Sequence, residues 1–235
     1  MAAPEAAELD RPLRLGEVLA AGIRIFATRP IPFLLVGCLE GLVLLAANSV
    51  HIVAGICILA VSFAVAFAVV TRLVVGDEQR QAWVRATHAV PILAVLAFIV
   101  AVPFYLGFVA GLILLLFSAA WLGLTAFAIP AAMLEDPPLP GFAGRMVHAL
   151  RRTAVLARVE YLHAAGVAAA LIVVYILFSV ALAAALSGYA DNSRLVAQAL
   201  AQIVLAPFFF IGLSVLYFDQ RARALESAGR PGGRG

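Results

Sequence analysis

Residues 31–71 are apolar except at Glu40, Asn48, Ser49, His51 and Ser62. As a single helix this block would measure roughly 60 Å at about 1.5 Å per residue, twice the hydrocarbon thickness of a bilayer. It must therefore fold back on itself, and Asn48-Ser49 with His51 is the polar cluster suited to a membrane surface. Residues 90–134 are too long in the same way. Their turn is expected near Pro103-Phe104-Tyr105-Leu106-Gly107, where a proline can end a helix. Residues 162–186 and 195–218 read as single spans separated by the polar stretch 187–194. The expected fold is all-α, a polytopic transmembrane helical bundle of about six spans. It forms one domain over residues 11–226, between disordered tails at 1–10 and 227–235.

Composition agrees. The chain is 65% hydrophobic and 12% charged, against about 25% charged in a soluble domain. Its net charge of +3 comes from arginine, because the sequence has no lysine. With six spans and the N-terminus in the cytoplasm, fifteen of the sixteen arginines fall on the cytoplasmic side and only Arg194 on the other. The positive-inside rule thus places both termini in the cytoplasm. Residues 1–10 are acidic and alanine-rich, unlike the basic start of a cleaved signal peptide. Heavy use of Ala, Arg, Gly and Pro without Lys points to a bacterium of high genomic GC content, hence to the bacterial inner membrane. The arginines flank apolar runs instead of forming one basic face, which argues against nucleic acid as a partner.

Two cytoplasmic segments have the pattern of helices lying along the membrane. In residues 13–28, Leu15, Val18, Leu19, Ile25 and Phe26 share one side, with Arg14, Glu17, Arg24 and Thr28 on the other. In residues 141–161, Phe142, Met146 and Leu150 stack at four-residue steps, while Arg145, His148 and Arg152 share another face. Arg145, Arg151, Arg152 and Arg158 are the expected contacts to anionic lipid headgroups. The same helices could instead serve as connectors packed under the bundle. A membrane-protein partner or a second copy of the chain also remains open.

Glu40 lies near the middle of the first span, where a lone carboxylate costs several kcal/mol and marks a candidate site by default. Helical depth puts Ser62, Ser118, Trp121, Tyr175 and Ser179 at comparable heights, with Gln202 nearer the outside. Glu40, Tyr175 and Gln202 are the candidate intramembrane polar site. Gly37 and Gly41 would let a neighbouring helix approach closely there, as would Gly107 and Gly111 elsewhere. The alternative is a protonated Glu40 hydrogen-bonded to the next span.

Other chemistry is sparse. His51, His88, His148 and His163 stand at no metal-ligand spacing, no glycine-rich phosphate loop is present, and no cofactor is implied. Cys38 and Cys57 differ by ~10 Å in expected depth, beyond the ~7 Å Cα limit for a disulfide, and are expected to be small buried hydrophobes. No pair of convergent catalytic groups appears, so the chain is expected not to be an enzyme.

Four stretches resemble, in order, a group of bacterial membrane proteins named after the glycerophosphoryl diester phosphodiesterase membrane domain. They are LRLGEVLAAGIRIFATRP (13–30), IPAAMLED (129–136), ALRRTAVL (149–156) and VLYFDQRARALE (215–226). The last is similar to the group's closing run of tyrosine, aspartate, two alternate arginines and a glutamate, here Tyr217, Asp219, Arg221, Arg223 and Glu226. The glutamate comes one residue late, since Leu225 holds its usual place. The resemblance implies a membrane module and no activity. In the fused members, phosphodiester chemistry belongs to a separate soluble barrel, and the longest polar segment here is about thirty residues, short of the ~50 a domain needs. Read on its own, the closing run is a helix end with Tyr217 at the headgroup boundary and Arg223 within reach of Asp219 or Glu226. Two functions fit all this. One is an accessory or organising component of the membrane; the other is a small transporter or lipid-handling protein working around Glu40.

Overall fold

In the computed structural model of the chain, residues 11–110, 112–138, 141–186 and 193–229 are described, with side chains except at 104–115, 193–194 and 229. Every regular element among them is an α-helix, as the sequence leads one to expect. Helix α1 (Leu15–Thr28) starts where the Glu17 carboxylate accepts the Arg14 N–H at 2.7 Å, satisfying a donor that the first turn leaves free. Helix α2 (Pro30–Asn48) opens on a proline, which needs no N–H partner there. The chain then folds back at Asn48–His51 into α3 (Ile52–Val75), which stops at Gly76 with φ +99°, a conformation that favours glycine.

A short polar helix, α4 (Gln79–His88), follows and meets α5 (Val90–Ala110) at a bend of 79°. The expected turn at Pro103–Gly107 is not there, since α5 runs through Pro103 to Ala110; α6 covers Leu112–Thr125. The reason is specific. Pro103 has no N–H for the Ile99 carbonyl four residues back, and the Trp121 indole of α6 donates to that oxygen at 2.8 Å instead. A proline whose lost hydrogen bond is replaced from a neighbouring helix need not end its own. After two residues the chain resumes as α7 (Ala128–Leu134), then α8 (Phe142–Val159), α9 (Tyr161–Leu186) and α10 (Ser193–Gly229). Helix α10 passes the expected boundary at 226, while residues 1–10 and 230–235 lie outside the described ones, as does the glycine pair's Gly111.

Among the described residues five stretches are long and apolar enough to cross a membrane: α2, α3, Leu116–Leu134 of α6 and α7, α9, and most of α10. The bent α4–α5 pair is a sixth if it counts as one span. Helices α3, α5, α6, α9 and α10 pack in sequence as a ring closed by α3 against α10, and α2 lies over that closing seam. The seam is filled by Phe63 and Phe67 of α3 against Phe209 and Phe210 of α10. The Phe63–Phe210 rings are edge-to-face at 5.0 Å and Phe67–Phe210 stacked at 5.7 Å. Below them the Thr71 and Ser214 hydroxyls pair at 3.0 Å.

Distant segments converge on one end of this ring, called the basic end here. The Arg72 guanidinium donates to the Met133 carbonyl, and Arg85 pairs with Asp77 at 2.7 Å. Glu135, at the C-terminus of α7, takes hydrogen bonds from His148 and Arg152 of α8 and from Tyr217 of α10. Leu13, just before α1, is held by Asp219 and Arg223 of α10.

The amphipathic segments both form helices. Helix α1 buries Val18, Ala21, Gly22 and Ile25, with Gly22 facing Phe208 and Ile211 of α10. Leu15, grouped with that face in the sequence, is exposed. Helix α8 docks on a face rotated from the one its sequence pattern suggests, with Met146 still against the core. Ala149, Thr153, Leu156 and Ala157 are buried beside His148 and Arg152, whereas Phe142 is 49% exposed and Leu150 also faces outward. His148 and Arg152 turn inward because Glu135 is there to receive them, while Arg145 stays exposed, and hydropathy alone carries no record of that partner.

Candidate functional site

Glu40, Leu44 and Asn48 stand at four-residue steps on α2 and therefore share a face. That face borders a cavity of about 510 Å³ between α2, α3, α9 and α10. It extends from exposed Asn48, Val50 and Ile52 at the α2–α3 turn down to Glu40 and Phe63. Eight residues of helix separate Asn48 from Glu40, a depth of about 12 Å. Helix α10 contributes Gln198 and Gln202, and α9 contributes Tyr175 and Ser179, each pair one helical turn apart. The rest of the wall is apolar, with Leu59 and Phe63 from α3 and Phe209 and Phe210 from α10.

The three residues proposed from sequence, Glu40, Tyr175 and Gln202, thus border one space. Gln202 Nε2 donates to the Tyr175 hydroxyl at 2.7 Å, and the Ser62 hydroxyl donates to Glu40 Oε1. Glu40 is only 3% exposed. Ser118 and Trp121, expected at the same depth, belong elsewhere: they are not in this lining, and Trp121 serves the Ile99 carbonyl.

Glycine sets the position of Glu40. A Cβ on Gly37 would fall on the Ile203 carbonyl oxygen, and one on Gly41 would sit 2.9 Å from that of Ala199. Only bare backbone allows α2 so close to α10. Ile203 is also the residue whose carbonyl loses its helical partner to Pro207, four positions on. The carbonyl left free by Pro207 in α10 and the glycine face of α2 therefore coincide beside Glu40.

The carboxylates of the basic end are engaged differently. Glu135 Oε1 accepts from Tyr217 at 2.6 Å and Arg152 at 2.8 Å, and Oε2 lies 3.1 Å from His148. Burial pushes this carboxyl upward, but the hydrogen bonds from Tyr217, Arg152 and His148 outweigh it and hold it below its ordinary value of 4.5. Tyr217, expected at the headgroup boundary, is fully buried by this contact. Asp219, also fully buried, takes the Leu13 N–H at 2.6 Å and Arg223 Nε at 3.0 and 3.1 Å. His163 Nε2 lies 3.1 Å from Asp219 but off-line for a hydrogen bond. Arg223 also reaches Glu160 and the Leu13 carbonyl, so its second carboxylate is Glu160 and not Glu226. The sequence offered the Asp219–Arg223 pairing but not the partners of Glu135. The available signal was a carboxylate directly after an apolar run, Glu135, facing a His148–Arg152 pair four residues apart.

Of the four headgroup arginines, Arg145, Arg151 and Arg158 are exposed on α8, whereas Arg152 is half-buried on Glu135. Cys38 and Cys57 are free thiols, but Cys38 is exposed on the outer side of α2 and not buried. Among the described residues no three His, Cys, Asp or Glu side chains converge as a metal site would require.

Fold and cavity together have the make-up of a multi-pass helical membrane protein with a mostly apolar space, carrying a few polar groups, between its helices. Comparison with protein-family models, curated proteins and solved structures finds no match for this chain.

Proposed function

We propose that the chain is a non-enzymatic small transporter or lipid-handling protein that takes an amphiphile into the Glu40 cavity. The observation that carries this is the cavity itself. Its 510 Å³ lies within the ~300–1,000 Å³ usual for ligand sites, and it has the expected apolar wall with a few polar groups. The accessory role that the sequence put first would have Glu40 packed against a neighbour without such a space. The proposed setting is a bacterial inner membrane with both termini in the cytoplasm, α1 and α8 on that side, and Arg145, Arg151 and Arg158 toward anionic headgroups. Fifteen arginines on one side of six spans support that setting, and so does the contact of Leu13 with Asp219 and Arg223, which brings the first and last helices to one end. The likeness to the glycerophosphoryl diester phosphodiesterase membrane-domain group fits the same module without an activity.

Native mass spectrometry of protein extracted with its membrane lipids tests the proposal. Wild type is expected to retain an amphiphile that Leu59→Trp, which fills the cavity, releases without loss of folded protein. An identical bound population in both would defeat it. For orientation, a cysteine at His51 should react with an impermeant reagent in intact cells, and one at Gln81 only after lysis.

A further inference from the structure

Among the described residues, Glu40 differs from the other sequestered carboxylates in its partner. Glu135 has Arg152 and His148, and Asp219 has Arg223, whereas Glu40 has the neutral hydroxyl of Ser62. The described lining of its cavity contains no arginine or histidine. Its other polar members, Asn48, Tyr175, Ser179, Gln198 and Gln202, are amides and hydroxyls. A carboxylate in a low-dielectric space is stabilised chiefly by a cation brought beside it, and an anion placed there would meet only repulsion. Phe63, Phe209 and Phe210 bound the same space, and clustered aromatic rings suit an organic cation better than a strongly hydrated metal ion. The apolar wall between Glu40 and the mouth at Asn48 has room for a hydrocarbon chain of about 12 Å.

We infer that the cavity takes a cationic amphiphile, an aliphatic amine or quaternary ammonium, with its charged head at Glu40 among the phenylalanine rings and its chain running toward Asn48. This rests on the cavity being a ligand site, the reading proposed above, and adds the sign of the ligand's charge. The headgroup would supply the counter-charge that the other sequestered carboxylates obtain from arginine.

Saturable binding to the full chain in nanodiscs of neutral lipid provides the test, with empty discs as background. Three probes share an eight-carbon chain: octyltrimethylammonium, octyl glucoside and octyl sulfate. The cation is expected to bind about tenfold more tightly than the neutral probe, and the sulfate not to saturate. Glu40→Gln, close in shape, should bring the cation down to the affinity of the neutral probe while leaving the neutral probe unchanged. Phe63→Leu should weaken the cation several-fold more than the glucoside. Leu59→Trp should abolish saturable binding of every probe, which identifies the cavity as the site measured. Equal binding of cation and glucoside, insensitive to Glu40→Gln but lost in Leu59→Trp, would overturn the charge inference and leave the ligand site standing. Preferential binding of the sulfate would also overturn it. Absence of saturable binding by all three would overturn both.

Discussion

The basic end and the cavity of this bundle handle buried carboxylates in opposite ways. At the basic end, Glu135 joins α7 to α8 and α10, and Asp219 ties the chain before α1 to α10; both are enclosed by cations and hydrogen-bond donors. Around the cavity, Glu40 has a single hydroxyl partner and open space on one side. A carboxylate whose hydrogen-bonding capacity is filled from several helices fixes those helices in place. One that is left with a neutral partner beside a cavity is available to something that is not part of the chain. The difference separates a lock from a site, although both are acidic residues in an apolar protein.

Removing a lock should cost most. Asp219→Ala leaves Arg223 and the Leu13 N–H without their shared acceptor, and is expected to destabilise the protein by about 3–5 kcal/mol. Thermal or denaturant unfolding in nanodiscs would show it, with the α1 amides losing exchange protection first. A loss no larger than that of an exposed acidic residue such as Glu226 would erase the contrast between the basic end and the cavity.

Next comes the seam that positions Glu40. Gly37→Ala puts a methyl on the Ile203 carbonyl oxygen and should cost about 1–3 kcal/mol, because backbone must move to make room. Gly166→Ala, with nothing within 4 Å of the added carbon, is the matched control and should be nearly silent.

Acid should loosen the basic end. The folded-state value of Glu135 is lowered, so its contribution to stability is fully present above the ordinary 4.5 and fades as pH falls through the lower folded value. Exchange protection of α8, corrected for intrinsic rates, is expected to drop in that acidic window while that of α2 is unchanged. Protection of α8 that instead fell as pH rose from 5 to 7 would contradict this sign.

The smallest expected effect is at Glu40. Glu40→Gln keeps the hydrogen bond with Ser62 available and should change unfolding stability by less than about 0.5 kcal/mol, even as it alters ligand preference. A large loss of stability would move Glu40 into the class of Glu135 and Asp219.

Legibility in the sequence followed the range of the interactions involved. The fold-back at Asn48–His51 was readable because its polar residues are adjacent in the chain. The depths of Glu40, Tyr175 and Gln202 were readable because helical rise is constant. The end of α5 was misjudged, since the donor that rescues Pro103 is Trp121 on another helix, eighteen residues away. The inner face of α8 is hidden for a similar reason: Glu135 draws His148 and Arg152 inward from outside the helix. The cavity had no sequence signal at all. It is set by how closely Gly37 and Gly41 admit α10, and by which side chains consequently fail to meet.

The most direct test of the central claim is a crystal structure from lipidic mesophase of protein purified with its native lipids. The account predicts elongated density in the space bounded by Glu40, Gln202 and Phe63 and reaching Asn48. A space closed by its own side chains, or holding only ordered water, would contradict it.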